Sequence, residues 1–101
     1  MPSMAQAGVY SSVMNYLKAV EKTGSDDAEA IMKHLKSTPI DDGLFKGEIR
    51  ADGKFAHEML LLEVKKPAES TEPWDYYKVV QVFKGEEAWT TKAESKCALW
   101  K

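Results

Sequence analysis

Cysteine is almost missing from this chain of 101 residues. Cys97 stands alone, so no intrachain disulfide can form, and the thiol is either free or half of a bridge to something outside this chain. Arginine is just as scarce, with Arg50 the only one. The net charge is −2 and no basic run stands out beyond Lys65-Lys66. Nucleic-acid binding needs clustered Lys and Arg to displace counterions from phosphates, so that class is set aside. No apolar run is long enough to span a bilayer. The opening Met-Pro-Ser-Met-Ala-Gln has no basic region followed by an apolar one, so no export signal is visible. A mature secreted protein, a cytosolic protein and a fragment would all read this way.

Chemistry-bearing patterns are missing too. His34 and His57 fall in different elements, and no Cys or His pair has metal-ligand spacing. Asp41-Asp42-Gly43 and Asp52-Gly53 lack the remaining ligands of a calcium loop and fit turns better. Cys97 has no neighbouring His or helix cap to activate it. No glycine-rich phosphate loop is present. Trp74, Tyr76 and Tyr77 could wall a ligand, but cross-strand packing explains them as well. No catalytic residue, metal ligand or cofactor site is expected.

What is there fits one small module over residues 1–101, with an ordinary globular balance of 44% hydrophobic and 30% charged residues. Residues 1–7 read as an irregular lead-in. Tyr10, Val13, Met14, Leu17 and Val20 or Glu21 follow the three-and-four spacing of a buried helix face and predict a helix over 8–22. Ser11, Asn15, Lys18 and Lys22 lie off that face. Gly24 suits a left-handed cap. A second helix should start at Ser25 or Asp26, bury Ala28, Ile31, Met32 and Leu35, and stop before Pro39. The pair should pack as a hairpin. Residues 40–45 read as loop. A short strand over 46–51 and an Asp52-Gly53 turn lead to a strand from about Phe55. Residues 86–101 form a tail in which Trp89, Leu99 and Trp100 are the candidate anchors.

The richest stretch is His57–Phe83. Leu60, Leu62 and Val64 should face one way, Met59 and Leu61 the other. Across the polar linker 66–75, Tyr76, Val80 and Val82 should oppose Tyr77, Val79 and Phe83. Both faces are then apolar, and both need cover. A helix hairpin can cover one. The fold class is α/β, and α+β within these residues: a helix hairpin followed by a small, mainly antiparallel sheet of about three strands. The uncovered face calls for a partner: another protein, a second copy through self-association, or a missing part of the same polypeptide.

Several segments, taken in order, carry a resemblance. Gln6-Ala-Gly-Val-Tyr-Ser-Ser-Val-Met-Asn-Tyr-Leu-Lys-Ala-Val-Glu-Lys-Thr-Gly24, Gly47-Glu-Ile-Arg-Ala-Asp-Gly53, Val64-Lys-Lys-Pro67, Pro73-Trp-Asp-Tyr-Tyr-Lys-Val-Val80 and Glu94-Ser-Lys-Cys97 resemble the C-terminal portion of periplasmic substrate-binding proteins of ATP-binding-cassette importers, in the branched-chain amino-acid family. The resemblance implies a two-lobed α/β receptor three to four times as long. It implies a periplasmic, non-enzymatic binder of an amino-acid-like small molecule, with the membrane permease of the importer as partner. It places Gln6, Gly8 and Tyr10 as candidate cleft-lining residues, most of the ligand contacts lying outside this chain. A stand-alone interaction or dimerisation module using the exposed sheet face is the alternative.

Overall fold

Ser3 sets where the first helix begins. Its hydroxyl accepts from the Gln6 amide (3.3 Å) while the Gln6 side chain accepts from the Ser3 amide (2.8 Å), a reciprocal capping box. In this computed structural model, which describes residues 3–98 and 100, α1 therefore runs Met4–Thr23, four residues earlier than its apolar periodicity suggests. The lead-in expected over 1–7 is mostly helix, and Pro2 lies outside the described residues. Gly24 closes α1 with φ 65°, its amide donating to the Val20 carbonyl at 2.9 Å. α2 runs Ala28–Ser37, capped by Asp27 rather than Ser25 or Asp26, with the Ala30 amide on the Asp27 carboxylate at 3.0 Å. Thr38 is extended ahead of Pro39 and ends it.

The buried side of α1 is not its apolar side. Ser11 and Ala19 are buried and Asn15 and Thr23 half-buried, a stripe four residues apart. Tyr10, Val13 and Leu17, expected inside, are exposed. Small and polar side chains let α1 approach its neighbours closely, and Asn15 and Ser11 find a polar partner there. α1 packs on α2 as a hairpin, and α2 packs on the sheet through buried Ile31 and half-buried Leu35. Met32, expected in that face, stays exposed.

The strands form two separate antiparallel units. β1 (Ile40–Asp41), β2 (Lys46–Ile49) and β3 (Phe55–His57) make a three-stranded sheet in that order. Residues 40–41 are thus a short strand where a loop was expected. β4 (Met59–Val64) and β5 (Tyr77–Phe83) make a two-stranded ribbon. The chain leaves the first sheet at Glu58, so the strand expected from Phe55 onward is divided between them. Gly47 occupies the centre of the first sheet, paired with Ile40 and His57. A Cβ there would overlap the Ala56 carbonyl oxygen and stand 3.1 Å from the His57 Cα.

A bulge changes the faces of the ribbon. Leu61 pairs with Gln81 but Leu62 pairs with Val79, leaving Val80 extra. Leu60, Leu62 and Val64 therefore share a face with Val82, Val79 and Tyr77. The opposite face carries Met59, Leu61, Glu63, Lys78, Gln81 and Phe83. The expected grouping of Val82 with Tyr76, against Val79, is corrected, because one extra residue inverts the alternation beyond it. The second face is mixed, with Glu63 and Lys78 paired at 3.3 Å. In the linker, Pro73 and Trp74 occupy the middle of a turn closed by the Asp75 amide on the Glu72 carbonyl at 3.1 Å, with Trp74 at φ 74°.

These units do not close around a common core. Among the described residues only Ala19, Ile31 and Ile40 are buried apolar side chains. The radius of gyration is 16.8 Å, against about 13 Å for a compact domain of 100 residues. The accessible surface is 7949 Å², against about 5,700 Å² for a compact chain of this mass.

Candidate functional site

The best-built concavity lies where the N-terminal turns of α1 meet the β1–β2 loop and the start of β4. It has a volume of about 550 Å³ and is lined by Ser3, Met4 and Ala7 of α1, by residues 43–45 of the loop, and by His57, Leu60 and Leu62. Its lining is mainly apolar with a few polar groups at the rim, the general composition of a small-molecule site.

Beside this concavity Asp42 hydrogen-bonds both α1 and the β1–β2 loop. One carboxylate oxygen accepts from Asn15 Nδ2 at 2.9 Å and from the hydroxyl of buried Ser11 on α1. The other accepts the amides of Leu44 (3.0 Å) and Phe45 (2.9 Å) in its own loop. Partial burial by itself would raise the Asp42 pKa. The bonds from Ser11, from the Phe45 and Leu44 amides and from Asn15 outweigh it and hold the carboxyl at about 2. Gly43, at φ 82°, supplies the left-handed step that lets the loop turn back onto its own carboxylate.

Behind the loop sits an aromatic cluster. The His57 ring lies 4.9 Å from Phe45, 5.1 Å from Phe55 and 5.4 Å from Trp89, centroid to centroid. Trp89 Nε1 donates to the His57 carbonyl at 3.0 Å. Lys54 stands over the Trp89 ring at 5.1 Å, and Arg50 over Trp100 at 4.0 Å. Arg50 also donates to the Thr90 carbonyl at 3.1 Å and pairs with Asp52 at 2.7 Å, which lowers the Asp52 pKa. Trp89 and Trp100 thus anchor the tail as expected. Leu99 lies outside the described residues. His57, which the sequence places in no metal-ligand pair, is half-buried in this cluster. Cys97 is exposed.

Gln6 and Tyr10 lie together along an open apolar groove on another side of α1, with Val9, Val13 and Met14. Gly8 faces neither hollow, and a Cβ on it would meet nothing within 4 Å. The Gln6 side chain is already engaged in the capping box. Asp42, Ser11 and Asn15 were not singled out from the sequence. The available signal was the spacing of Ser11, Asn15, Ala19 and Thr23 by fours, which marks a helix stripe as clearly as an apolar one does.

A family model described as periplasmic binding protein matches residues 1–70, and the chain belongs to that family. Two solved structures match over the whole chain. One is a periplasmic binding protein from Burkholderia mallei, 59% identical with a TM-score of 0.95. The other is a branched chain amino acid ABC transporter periplasmic ligand-binding protein from Burkholderia xenovorans LB400, 39% identical with a TM-score of 0.93. The chain covers 27% of each, so it spans about a quarter of their length. No curated protein gives a significant match. The expected α/β fold class, as a helix hairpin with small antiparallel sheets, agrees with these neighbours.

Proposed function

We propose that this chain is the C-terminal portion of the solute-binding component of an ATP-binding-cassette importer, working in the periplasm. Its solute is a branched-chain amino acid or a related small molecule, and the permease of the importer receives it. The role is binding, not catalysis. The observation that carries this reading is the match of the entire chain, at 59% identity and a TM-score of 0.95, to 27% of a periplasmic binding protein. The open build supports it: a radius of gyration of 16.8 Å suits a section of a larger α/β receptor better than a finished domain. The hollow at the start of α1 faces the solute in this reading, with Gln6, Gly8 and Tyr10 as further candidates on the same helix. Lobe closure over the solute is the functional motion.

The test is a chimera in which this chain replaces the matched segment of the Burkholderia mallei protein, titrated calorimetrically with leucine, isoleucine, valine and related amino acids. Saturable binding by the chimera, and none by the isolated chain, is expected. A folded chimera that binds no small solute would overturn the reading. The exposed apolar ribbon favours a second reading, a stand-alone module that associates through that face. In that case the folded chimera binds no solute, and association of the isolated chain is its function.

A further inference from the structure

We propose that Asp42 is the positioning residue of the hollow at the start of α1, an ionised clamp that fixes the Gly43–Phe45 wall against the helix. The inference rests on the solute-facing reading of that hollow given above. The four groups that donate to the Asp42 carboxylate come from two elements. Ser11 and Asn15 belong to the middle of α1, one to two turns beyond Ala7, which lines the hollow. The Leu44 and Phe45 amides belong to residues that line the hollow themselves. One carboxylate thus sets the distance between two walls. Nothing else as specific does so: among the described residues, this is the hydrogen-bonded link between α1 and the β1–β2 loop.

The placement is built rather than incidental. Ser11 is 4% exposed, and its hydroxyl is aimed at the carboxylate. Asn15 braces the same oxygen and also returns a bond to the Ser11 carbonyl at 2.9 Å. Close packing accounts for the small size of this stripe on α1 but not for the polar groups of Ser11 and Asn15 turned inward. Their partner explains them. The neighbouring Asp41 pairs with Lys46 at 2.9 Å across β1 and β2, while the donors that α1 brings to the Asp42 carboxylate are the neutral Ser11 and Asn15. Among the described residues Asp42 makes no ion pair, and its four hydrogen-bond donors are neutral groups.

Amide hydrogen exchange on the full 101-residue chain tests the clamp. Asp42→Ala should raise exchange at Leu44 and Phe45 at least about tenfold, since bonds to a charged acceptor are the stronger ones. Asp42→Asn keeps an acceptor oxygen for the two loop amides but sets its own amide nitrogen against the Asn15 amide, donor to donor, so it should restore the loop protection only in part. In the chimera described above, Asp42→Ala should weaken solute binding at least about fivefold, and Asp42→Asn should weaken it less. Unchanged exchange at Leu44 and Phe45 in Asp42→Ala overturns the clamp. Changed exchange with unchanged affinity in a solute-binding chimera overturns the positioning role. A parent chimera that binds nothing overturns the proposed function, and with it the positioning role, whatever the exchange shows.

Discussion

The isolated chain should self-associate through the open ribbon face, and replacing Leu62 by lysine should weaken that association at least about tenfold. Leu62 sits mid-ribbon, opposite Val79, on the face that also carries Leu60, Val64, Tyr77 and Val82. All six side chains are between 44% and 69% exposed. The chain exposes 7949 Å² in all, about 2,200 Å² more than a compact chain of its mass. A standard interface takes about 800 Å² from each partner. The excess is therefore more than double what a stable symmetric contact needs, and a two-stranded ribbon also offers both of its edges for pairing. Covering 800 Å² on each copy removes enough apolar area from water, at about 25 cal/mol per Å², to offset the roughly 4–15 kcal/mol lost in association. A lysine at the centre of such a face would bury an unpaired charge, which the contact cannot tolerate. Sedimentation of wild type, Leu62→Lys and Gln81→Lys over a wide concentration range measures this. Gln81 lies on the mixed face beside Lys78 and serves as the control. A wild type that stays monomeric throughout and binds no apolar dye would refute the reasoning, as would equal effects of the two substitutions.

Other predictions follow from single residues. The Asp42 carboxyl is held at about 2 against an ordinary 3.8. Its contribution is therefore full above about pH 4 and lost as pH falls from about 3.8 towards 2, amounting to roughly 1–2 kcal/mol after allowance for partial exposure; urea denaturation at several pH values should show this slope, and Asp42→Asn should flatten it. Gly47→Ala should cost about 2–3 kcal/mol, because the new methyl meets the Ala56 backbone in mid-sheet, and a lowered melting temperature reads it. Gly8→Ala fills open space inside a helix and should stabilise by about 0.5–1 kcal/mol; the same change would weaken solute binding by the chimera only if Gly8 faces the cleft. Trp89→Ala loses the bond to the His57 carbonyl and the edge packing on its ring, so it should cost about 2 kcal/mol and open the Lys92 and Lys96 region to trypsin.

Much of the architecture was legible because local chemistry dictates it. Gly24, Pro39 and Asp52-Gly53 punctuate the chain where the backbone needs a left-handed residue, a helix stop and a turn. The tail anchors Trp89 and Trp100 were legible because large aromatics must dock somewhere. The inward side of α1 was not. Apolar periodicity marks the face a helix buries in its finished surroundings; Tyr10, Val13 and Leu17 are exposed among the described residues and would be covered in the proposed receptor. The stripe that is buried here, Ser11 to Thr23, answers to one carboxylate and to close packing. The bulge at Val80 also escaped, because a run of valines reads the same with or without an extra residue. Likewise, the Asp42 clamp draws on residues 31 and 27 positions away, and no local pattern at Asp41-Asp42-Gly43 announces them.

As a section of a two-lobed receptor, the proposed identity, this chain would gain its structure and its solute from the remainder. The most direct measurement mixes the chain with the Burkholderia mallei protein from which the matched 27% has been deleted. The account predicts a one-to-one complex by sedimentation, with ribbon amides protected from exchange and saturable amino-acid binding that neither part shows alone. A chain that ignores the truncated receptor, or that is compact, monomeric and fully protected by itself, would contradict it.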